Sequence, residues 1–220
     1  LLGIMYLTVV RMKGDCQMSE TKERILNVSL SLFSEKGYSA VSIRDICKEV
    51  EIKESSIYYH FKNKHAIFEE LLSRFQNKAD SMMGHLASQL TGETEPLGDN
   101  FYMVACNHFF EHYLMDEFCN KIMRLMLIEQ FNNEEVKKVY DHWMFVEPLK
   151  FQSSIFQMLM EMGIIVKADS EYMAIKYYAP IFFFAQKWLF CGKLSEENKE
   201  SFRKDAYKHI QLFFSEMEGA

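Results

Sequence analysis

The chain has 220 residues, of which 49% are hydrophobic and 25% are charged. This balance excludes an intrinsically disordered or fibrous protein and allows a sizeable core in one or two domains. With only 3 Pro and 9 Gly, and with abundant helix-forming residues, the composition predicts an all-α protein. No apolar run reaches the length of about 20 residues that a membrane-spanning helix needs, so we expect a soluble protein without a membrane partner.

The distribution of charge is uneven. The net charge of -6 argues against general coating of nucleic acid. Between Ser55 and Phe68, however, the chain carries Lys62 and Lys64 and no acidic residue. A local basic segment on an acidic chain is typical of a small DNA-reading unit attached to a larger body.

The cysteines and the first residues bear on the cellular compartment. The 5 cysteines lack the short spacings of a zinc finger, and their number is odd. We therefore expect a cytoplasmic protein without a disulfide framework, a metal or another cofactor. Residues 1–17 are expected to form an N-terminal extension that can be disordered. Their apolar start resembles a signal-peptide core only weakly, and an internal start at Met12 or Met18 is an equal alternative.

The front of the chain has the periodicity of successive helices. The apolar spacing predicts a first helix between Ser19 and Gly37, because Gly commonly ends a helix. A capping-box pattern at Ser42 begins a second helix. After a short turn, a third helix is predicted over residues 54–61, and Asn63 can cap a fourth. Two short helices joined by a tight turn and braced by a longer one constitute a helix-turn-helix, for which we expect domain bounds of 18–68.

The remainder, residues 69–220, is expected to form a second, larger helical domain. A polar break follows Thr91, and Pro148 and Pro180 are expected to kink two of the helices beyond it. The apolar-rich stretches that predict these helices are residues 101–115, 118–131, 134–161, 170–190 and 196–217.

The stretch Thr21 to Phe68 resembles the N-terminal DNA-binding domain of TetR/AcrR-family transcriptional regulators. The matching residues are Ile25-Leu26, Leu32-Phe33, Gly37-Tyr38, Val41-Ser42-Ile43, Asp45-Ile46, Ile57-Tyr58, His60-Phe61 and Lys64. The resemblance implies an N-terminal three-helix helix-turn-helix domain followed by a larger effector-binding and dimerisation domain. It also implies a regulator rather than an enzyme, here a repressor that a small apolar or aromatic effector releases from its operator.

The third helix has the side chains that reading of a DNA major groove requires, with polar groups outside and apolar groups inside. The predicted DNA contacts, for bases or phosphates, are Ser42, Arg44, Ser55, Ser56, Tyr58, Tyr59, His60, Lys62 and Lys64. Some of these residues have other possible roles. Tyr58 can be half-buried, Arg44 can pair with Glu51 or Glu54, and the two lysines can be ordinary solvated charges. Ser42 can cap its own helix.

Three residues depart from the family pattern. Glu51 stands where the family commonly has Gly, which implies a positive φ for a non-Gly residue. Lys53 replaces a hydroxyl-bearing helix cap, and Glu54 brings a negative charge to the helix expected to approach DNA. These departures leave open an interaction module that has kept the fold without binding DNA.

In the second domain, the resemblance implies a homodimer that packs as an intersubunit helical bundle and binds a near-palindromic operator. The candidate interface residues, taken from apolar stripes at helical spacing, are Ala174, Ile181, Ala185, Trp188, Phe202, Ala206, Ile210, Phe213 and Met217. The candidate effector-pocket residues, chosen because Met and aromatic side chains line adaptable apolar pockets, are Met103, Phe109, His112, Met123, Leu127, Phe145, Phe151, Met158 and Tyr178.

One motif favours a different class of protein. His108, Glu111 and His112 match the H-x-x-E-H pattern of inverted zinc peptidases, in which two histidines bind zinc and the glutamate activates water. The pattern is short and no third ligand is evident. A metal-dependent hydrolase is therefore the alternative to the regulator.

Overall fold

The computed structural model describes residues 20–91 and 101–218. All regular secondary structure in these two ranges is helical. The chain divides into two compact units between Phe75 and Gln76. The predicted boundary lay earlier, after Phe68, but Leu71 and Phe75 are also buried and belong to the first unit. The extension expected at residues 1–17 lies outside the described residues.

The first unit, here called the head, contains three helices and the start of a fourth. They are α1 (residues 20–36), α2 (Ile43–Val50), α3 (Glu54–Ile57) and α4 (Lys64–Thr91), which continues into the second unit. Gly37 ends α1 as predicted, with a φ of 83° and its N–H donating to the Phe33 carbonyl at 2.9 Å. The α-helical part of α3 is shorter than the predicted range, and the chain continues as a turn to His60.

Apolar packing and ion pairs together hold the head. Its buried core includes Ile25, Leu26, Leu30, Phe33, Val41, Ile46, Cys47, Val50, Ile57, Phe61, Ile67, Phe68, Leu71 and Phe75. Arg74 on α4 donates to both carboxylate oxygens of Glu23 on α1, at 2.7 and 2.8 Å, and also to Glu70. These hydrogen bonds lower the pKa of Glu23. The pairing fixes α1 against the first turns of α4.

The second unit, here called the body, contains the rest of α4 and six further helices in the described chain. They are α5 (Phe101–Phe109), α6 (Glu117–Glu129), α7 (Glu134–Asp141), α8 (Glu147–Glu161), α9 (Ser170–Ala185) and α10 (Glu196–Glu218). Three π-helical turns extend α5, α7 and α9, at Phe110–Leu114, His142–Val146 and Gln186–Phe190. Among the described residues, no helix is both long and apolar enough to cross a membrane.

Buried polar groups serve the backbone where these helices deviate from α geometry. Pro148 has no N–H to donate to the Met144 carbonyl, one helical turn before it. The Tyr178 hydroxyl donates to that carbonyl at 2.9 Å. The side-chain amide of Asn120, which is 1% exposed, donates to the Leu189 carbonyl at 3.1 Å within another π-helical turn. Such bonds satisfy carbonyls that would be costly to leave unpaired inside the body.

Candidate functional site

The turn between α2 and α3 forms despite the absence of Gly. Glu51 adopts the left-handed region, with φ 60° and ψ 42°, as its position in the sequence predicted. The Ile52 N–H donates to the Cys47 carbonyl at 3.0 Å, which closes the end of α2. Lys53 begins α3 without a side-chain hydrogen bond to the helix. The turn geometry is therefore retained, with backbone strain at Glu51.

The short helix α3 and the turn after it have one buried and one exposed face. Ile57 is fully buried and Phe61 is 5% exposed, so both anchor the segment in the head core. On the other side Tyr59 is 85% exposed and Tyr58 is 55% exposed. The remaining predicted contacts of this segment are exposed Ser55 and Lys62 and half-buried Ser56 and His60. The outer face thus combines hydroxyls, aromatic rings and a positive charge.

Arg44 on α2 lies against the start of α3. Its Nε donates to Oε1 of Glu54 at 2.9 Å, and the two side chains remain 83% and 49% exposed. Of the two acidic partners that the sequence allowed, the structure selects Glu54. The pair places a guanidinium beside the N-terminal end of α3.

Ser42 serves the fold of α2. Its hydroxyl accepts a hydrogen bond from the Asp45 N–H at 3.2 Å, and Asp45 Oδ2 accepts from both the N–H and the hydroxyl of Ser42, at 2.8 and 2.6 Å. These bonds complete the predicted capping box and lower the pKa of Asp45. The Ser42 hydroxyl is therefore engaged at the helix cap, the role that competes with the predicted phosphate contact.

The two lysines of the basic segment differ in their surroundings. Lys62 is exposed, whereas the Lys64 Nζ donates to the carbonyls of Tyr38 and Val41 at 2.9 and 2.7 Å. The same ammonium lies 4.2 Å from the centroid of the Tyr38 ring. Lys64 therefore fixes the loop between α1 and α2, because its donors are directed at that loop. The contact with a DNA phosphate that was predicted for Lys64 does not agree with an ammonium group bonded to this loop.

A small cavity in the body, of about 80 Å³, is lined almost entirely by apolar side chains. Three of the predicted pocket residues line it, namely Phe109, Phe151 and Tyr178. The other lining residues are Met83, Leu86, Cys106, Phe110, Pro148, Gln152, Ile155, Leu159, Tyr177, Ile181 and Phe214. The remaining six predictions, Met103, His112, Met123, Leu127, Phe145 and Met158, are not among the lining residues. Met123, for example, is 1% exposed in the body core, while Phe145 lies near the surface, where it packs on Phe182.

The polar groups of this cavity are few and mostly engaged. Cys106 Sγ and the Tyr177 hydroxyl are 2.7 Å apart, and Tyr178 is bonded to the backbone. Burial raises the pKa of Cys106 to about 11, against the opposing effect of its bond to Tyr177. Gln152 is the lining residue for which the described part of the chain shows no hydrogen bond, and no charged side chain lines the cavity. Sequence periodicity identified the apolar helices but could not say which of their faces enclose a void.

The motif that suggested a zinc hydrolase has a different arrangement. Glu111 accepts two hydrogen bonds from Arg203 on α10, at 2.7 and 2.9 Å, which lower its pKa. The ring of His108 lies 4.5 Å from those of His112 and His85. Burial and these two imidazoles lower the pKa of His108. Among the described residues, no group of three His, Cys, Asp or Glu side chains is arranged to hold a metal.

The apolar stripes assigned to a dimer interface lie mainly inside the protomer. The residues buried in its own core are Ala174, Ile181, Ala185, Phe202, Ala206, Ile210 and Phe213. Trp188 is half-buried and donates to Asp205 at 2.9 Å, and Met217 is half-buried. These residues therefore pack α9 and α10 against the rest of the body. Their helical spacing predicted a buried face correctly, but spacing does not identify which partner covers that face.

The exposed face of α9 offers a different apolar stripe. Tyr172, Ile175 and Phe183 are 62%, 48% and 60% exposed, and Ala179 between them is also exposed. Their spacing places them along one side of the helix. On α10, Leu212 is 55% exposed. These residues are here called the α9 stripe with Leu212. In the sequence, the residues on α9 are visible only as a second apolar periodicity, adjacent to the periodicity of the buried face.

Comparison with known proteins agrees with a helix-turn-helix head followed by a larger helical body. The family model described as bacterial regulatory proteins, tetR family, matches residues 25–71. Over 207 residues, 87% of this chain and 98% of the relative, the chain is 27% identical to IcaR of Staphylococcus aureus, the HTH-type negative transcriptional regulator of the biofilm operon icaADBC.

Solved structures show the same fold. The fatty acid degradation regulator FadR from Bacillus halodurans aligns with a TM-score of 0.62 and 17% identity, over 88% of this chain and 94% of its own. SmeT, the repressor of the Stenotrophomonas maltophilia multidrug efflux pump SmeDEF, aligns with a TM-score of 0.61 and 16% identity, over 89% of each chain. The matched head, the similarity along nearly the whole of IcaR and the shared fold give one conclusion: the chain is similar to the tetR family of bacterial regulatory proteins.

Proposed function

We propose that this protein is a transcriptional repressor that binds double-stranded operator DNA in the cytoplasm. The observation that carries the proposal is the outer face of α3 and its following turn, where Tyr59 is 85% exposed beside polar neighbours while Ile57 and Phe61 anchor the segment. An α-helix with such a face fits the major groove, where base edges can be distinguished. The relative IcaR is itself a negative regulator.

The proposed DNA contacts follow the placement of the side chains. Ser55, Ser56, Tyr58, Tyr59 and His60 form the reading surface. Arg44 joins it at the N-terminal end of α3, and Lys62 contacts phosphate. Ser42 and Lys64 support this surface by holding α2 and the loop before it.

We propose that the α9 stripe with Leu212 forms the surface through which two copies associate. An exposed apolar stripe along a helix is costly in water, and a second copy would cover it in a twofold interface. Two heads related by such an axis would read a near-palindromic operator with half-sites about 34–36 Å apart, or a multiple of that distance. Replacing Phe183 with Lys is expected to shift the protein from dimer to monomer in analytical ultracentrifugation, whereas replacing Lys137, an exposed lysine of α7, with Ala should leave it dimeric.

The cavity of the body is the proposed effector site. Since no described lining side chain is charged and the Gln152 amide has no hydrogen bond within the described chain, the cavity suits a small neutral apolar or aromatic molecule with one hydrogen-bonding group. Met83 and Leu86 on α4 contribute to the lining, and the first turns of that helix belong to the head core. An effector that displaces α4 would therefore shift the population toward a conformer with lower operator affinity.

Selection of bound duplexes from random DNA tests the proposal. We expect a near-palindromic sequence to be enriched, and replacement of Tyr59 with Ala to weaken its binding by at least tenfold. Replacing Lys62 with Ala should lower the slope of log affinity against log salt by about 0.9, the value for one lost phosphate contact. The matched control is Lys167, an exposed lysine of the body, whose replacement should change neither quantity. Failure to enrich any duplex would reject the DNA-binding function.

The two alternatives raised by the sequence are less well supported. A zinc hydrolase would need Glu111 to activate water, but Arg203 holds both of its carboxylate oxygens, and the comparisons identify a family of regulators. A module without DNA binding was suggested by Glu51, Lys53 and Glu54. The turn nevertheless keeps its geometry, and Glu54 has a partner in Arg44.

A further inference from the structure

The pair formed by Arg44 and Glu54 lies where α2 meets the start of α3. Glu54 is the first residue of α3, and its Oε1 accepts the hydrogen bond from Arg44 Nε at 2.9 Å. In a helix-turn-helix, the first residues of the second helix are the ones that contact base edges. Because the pair sits at that end, its chemistry bears on which bases the head selects.

Among the described residues, the bond to Glu54 is the one hydrogen bond that the Arg44 guanidinium makes. A guanidinium has five N–H donors, one on Nε and two on each terminal nitrogen. Glu54 uses the Nε donor, and the described residues show no hydrogen bond from either terminal nitrogen of Arg44. These two nitrogens form the fork that matches the O6 and N7 acceptors of guanine. The Arg44 side chain is 83% exposed, so the fork has access to solvent and to a duplex.

Neither the stability of the fold nor the overall affinity for DNA explains why position 54 is acidic. The two side chains are 83% and 49% exposed, and exposed ion pairs contribute little to folding. A carboxylate near the phosphates also lowers the affinity for every DNA sequence. The hydrogen bond instead favours one orientation of a long side chain with several rotatable bonds, which reduces the ordering required on binding.

We infer that Glu54 is a positioning residue for base recognition: it holds Arg44 so that its terminal nitrogens bond one guanine in each operator half-site. The inference rests on the proposed DNA-binding function. It assigns to Glu54 a role in sequence discrimination, although its charge opposes overall affinity.

The test compares two variants that remove the same charge, Glu54→Gln and Glu51→Gln. Glu51 lies in the same turn, but Arg44 makes no described hydrogen bond to it. Arg44→Ala first identifies the operator position at which guanine preference depends on Arg44. Affinities of the full-length protein are then measured by fluorescence anisotropy for the selected duplex and for duplexes with each other base at that position. Circular dichroism and thermal unfolding confirm that each variant is folded.

We expect the wild type to discriminate for guanine at that position by at least fivefold, within the range for a good bidentate contact. Glu54→Gln should reduce this discrimination to below twofold while raising the affinity for unrelated DNA. Glu51→Gln should raise the affinity for unrelated DNA and leave the discrimination intact.

Three outcomes would overturn the inference. In the first, Glu54→Gln keeps the guanine preference, which would make Glu54 only a source of repulsion. In the second, Glu51→Gln loses the preference equally. In the third, Arg44→Ala alters no base preference. If the wild type binds no duplex at all, the proposed function itself fails. If the wild type binds a duplex and one of the three outcomes occurs, only the inference about Glu54 fails.

Discussion

Replacing Lys64 with Ala is expected to destabilise the head without changing the number of phosphate contacts. The Lys64 Nζ donates to the carbonyls of Tyr38 and Val41 at 2.9 and 2.7 Å and lies 4.2 Å from the Tyr38 ring centroid. Each charge-assisted bond is taken at about 1 kcal/mol, since Lys64 is only partly buried, and the cation–π contact adds about 0.5–1 kcal/mol. The expected loss of unfolding free energy is therefore about 2.5–3 kcal/mol.

Amide hydrogen exchange in α1 and α2 is the suitable assay. Trp143 and Trp188 are the two tryptophans of the chain and both belong to the body, so tryptophan fluorescence would not report on the head. For the buried amides of α1 and α2, the expected loss corresponds to exchange faster by about 70- to 160-fold, because 1.36 kcal/mol is a factor of ten. Far-UV circular dichroism of the variant checks that the chain remains folded.

Lys62 provides the matched comparison, since it lies two residues earlier and is exposed. Its replacement with Ala should leave hydrogen exchange unchanged and lower the salt slope of operator binding by about 0.9. Lys64→Ala should show the opposite pattern, with faster exchange and an unchanged salt slope. Unchanged exchange together with a reduced salt slope for Lys64→Ala would refute the structural role and restore the phosphate contact.

Three further predictions concern the turn and the body. Replacing Glu51, whose φ is 60°, with Gly should raise the free energy of unfolding of the head by up to about 1 kcal/mol, measured by hydrogen exchange, since Gly avoids the Cβ strain but loses more chain entropy. Replacing Tyr178 with Phe removes the bond to the Met144 carbonyl and should cost about 1–2 kcal/mol in urea unfolding followed by tryptophan fluorescence, whereas Tyr172→Phe, at an exposed site, should cost little. The pKa of His108 is below its ordinary value of 6.5, so the unfolded chain binds its proton more readily. Stability of the body should therefore fall as pH drops below about 6.5, and His108→Asn should flatten that dependence in urea titrations at successive pH values.

Local chemistry made much of the head predictable from sequence. Gly37 ends α1, Ser42 and Asp45 form the capping box, and the Asn63 side chain accepts from the Ala66 N–H at 2.9 Å. Each of these features depends on residues within one helical turn, where a short pattern determines the geometry. The positive φ of Glu51 was predicted on different grounds, from the Gly that the TetR pattern commonly has there.

The body was predictable in its helices but only in part in its surfaces. Periodicity identified a buried face on α9 and α10, yet could not show that Ala174, Phe202 and Phe213 are covered within one protomer. A helix that is apolar around most of its circumference needs several covering partners, and a single sequence does not tell an intramolecular partner from a second copy. The cavity was equally hidden, because a void depends on packing between distant helices.

Two lysines of the head also show that a sequence pattern alone does not identify the partner of a side chain. Lys62 and Lys64 are two positions apart in one acid-free segment, so composition assigns them the same role. The start of α4 at Lys64 separates them, because the first helical residue turns its side chain back toward the loop between α1 and α2, while Lys62 stays in the exposed turn before it. A basic residue at the edge of a reading surface can therefore contact DNA or support the elements that do. Its hydrogen-bond partners, more than its charge, decide which of the two roles it has.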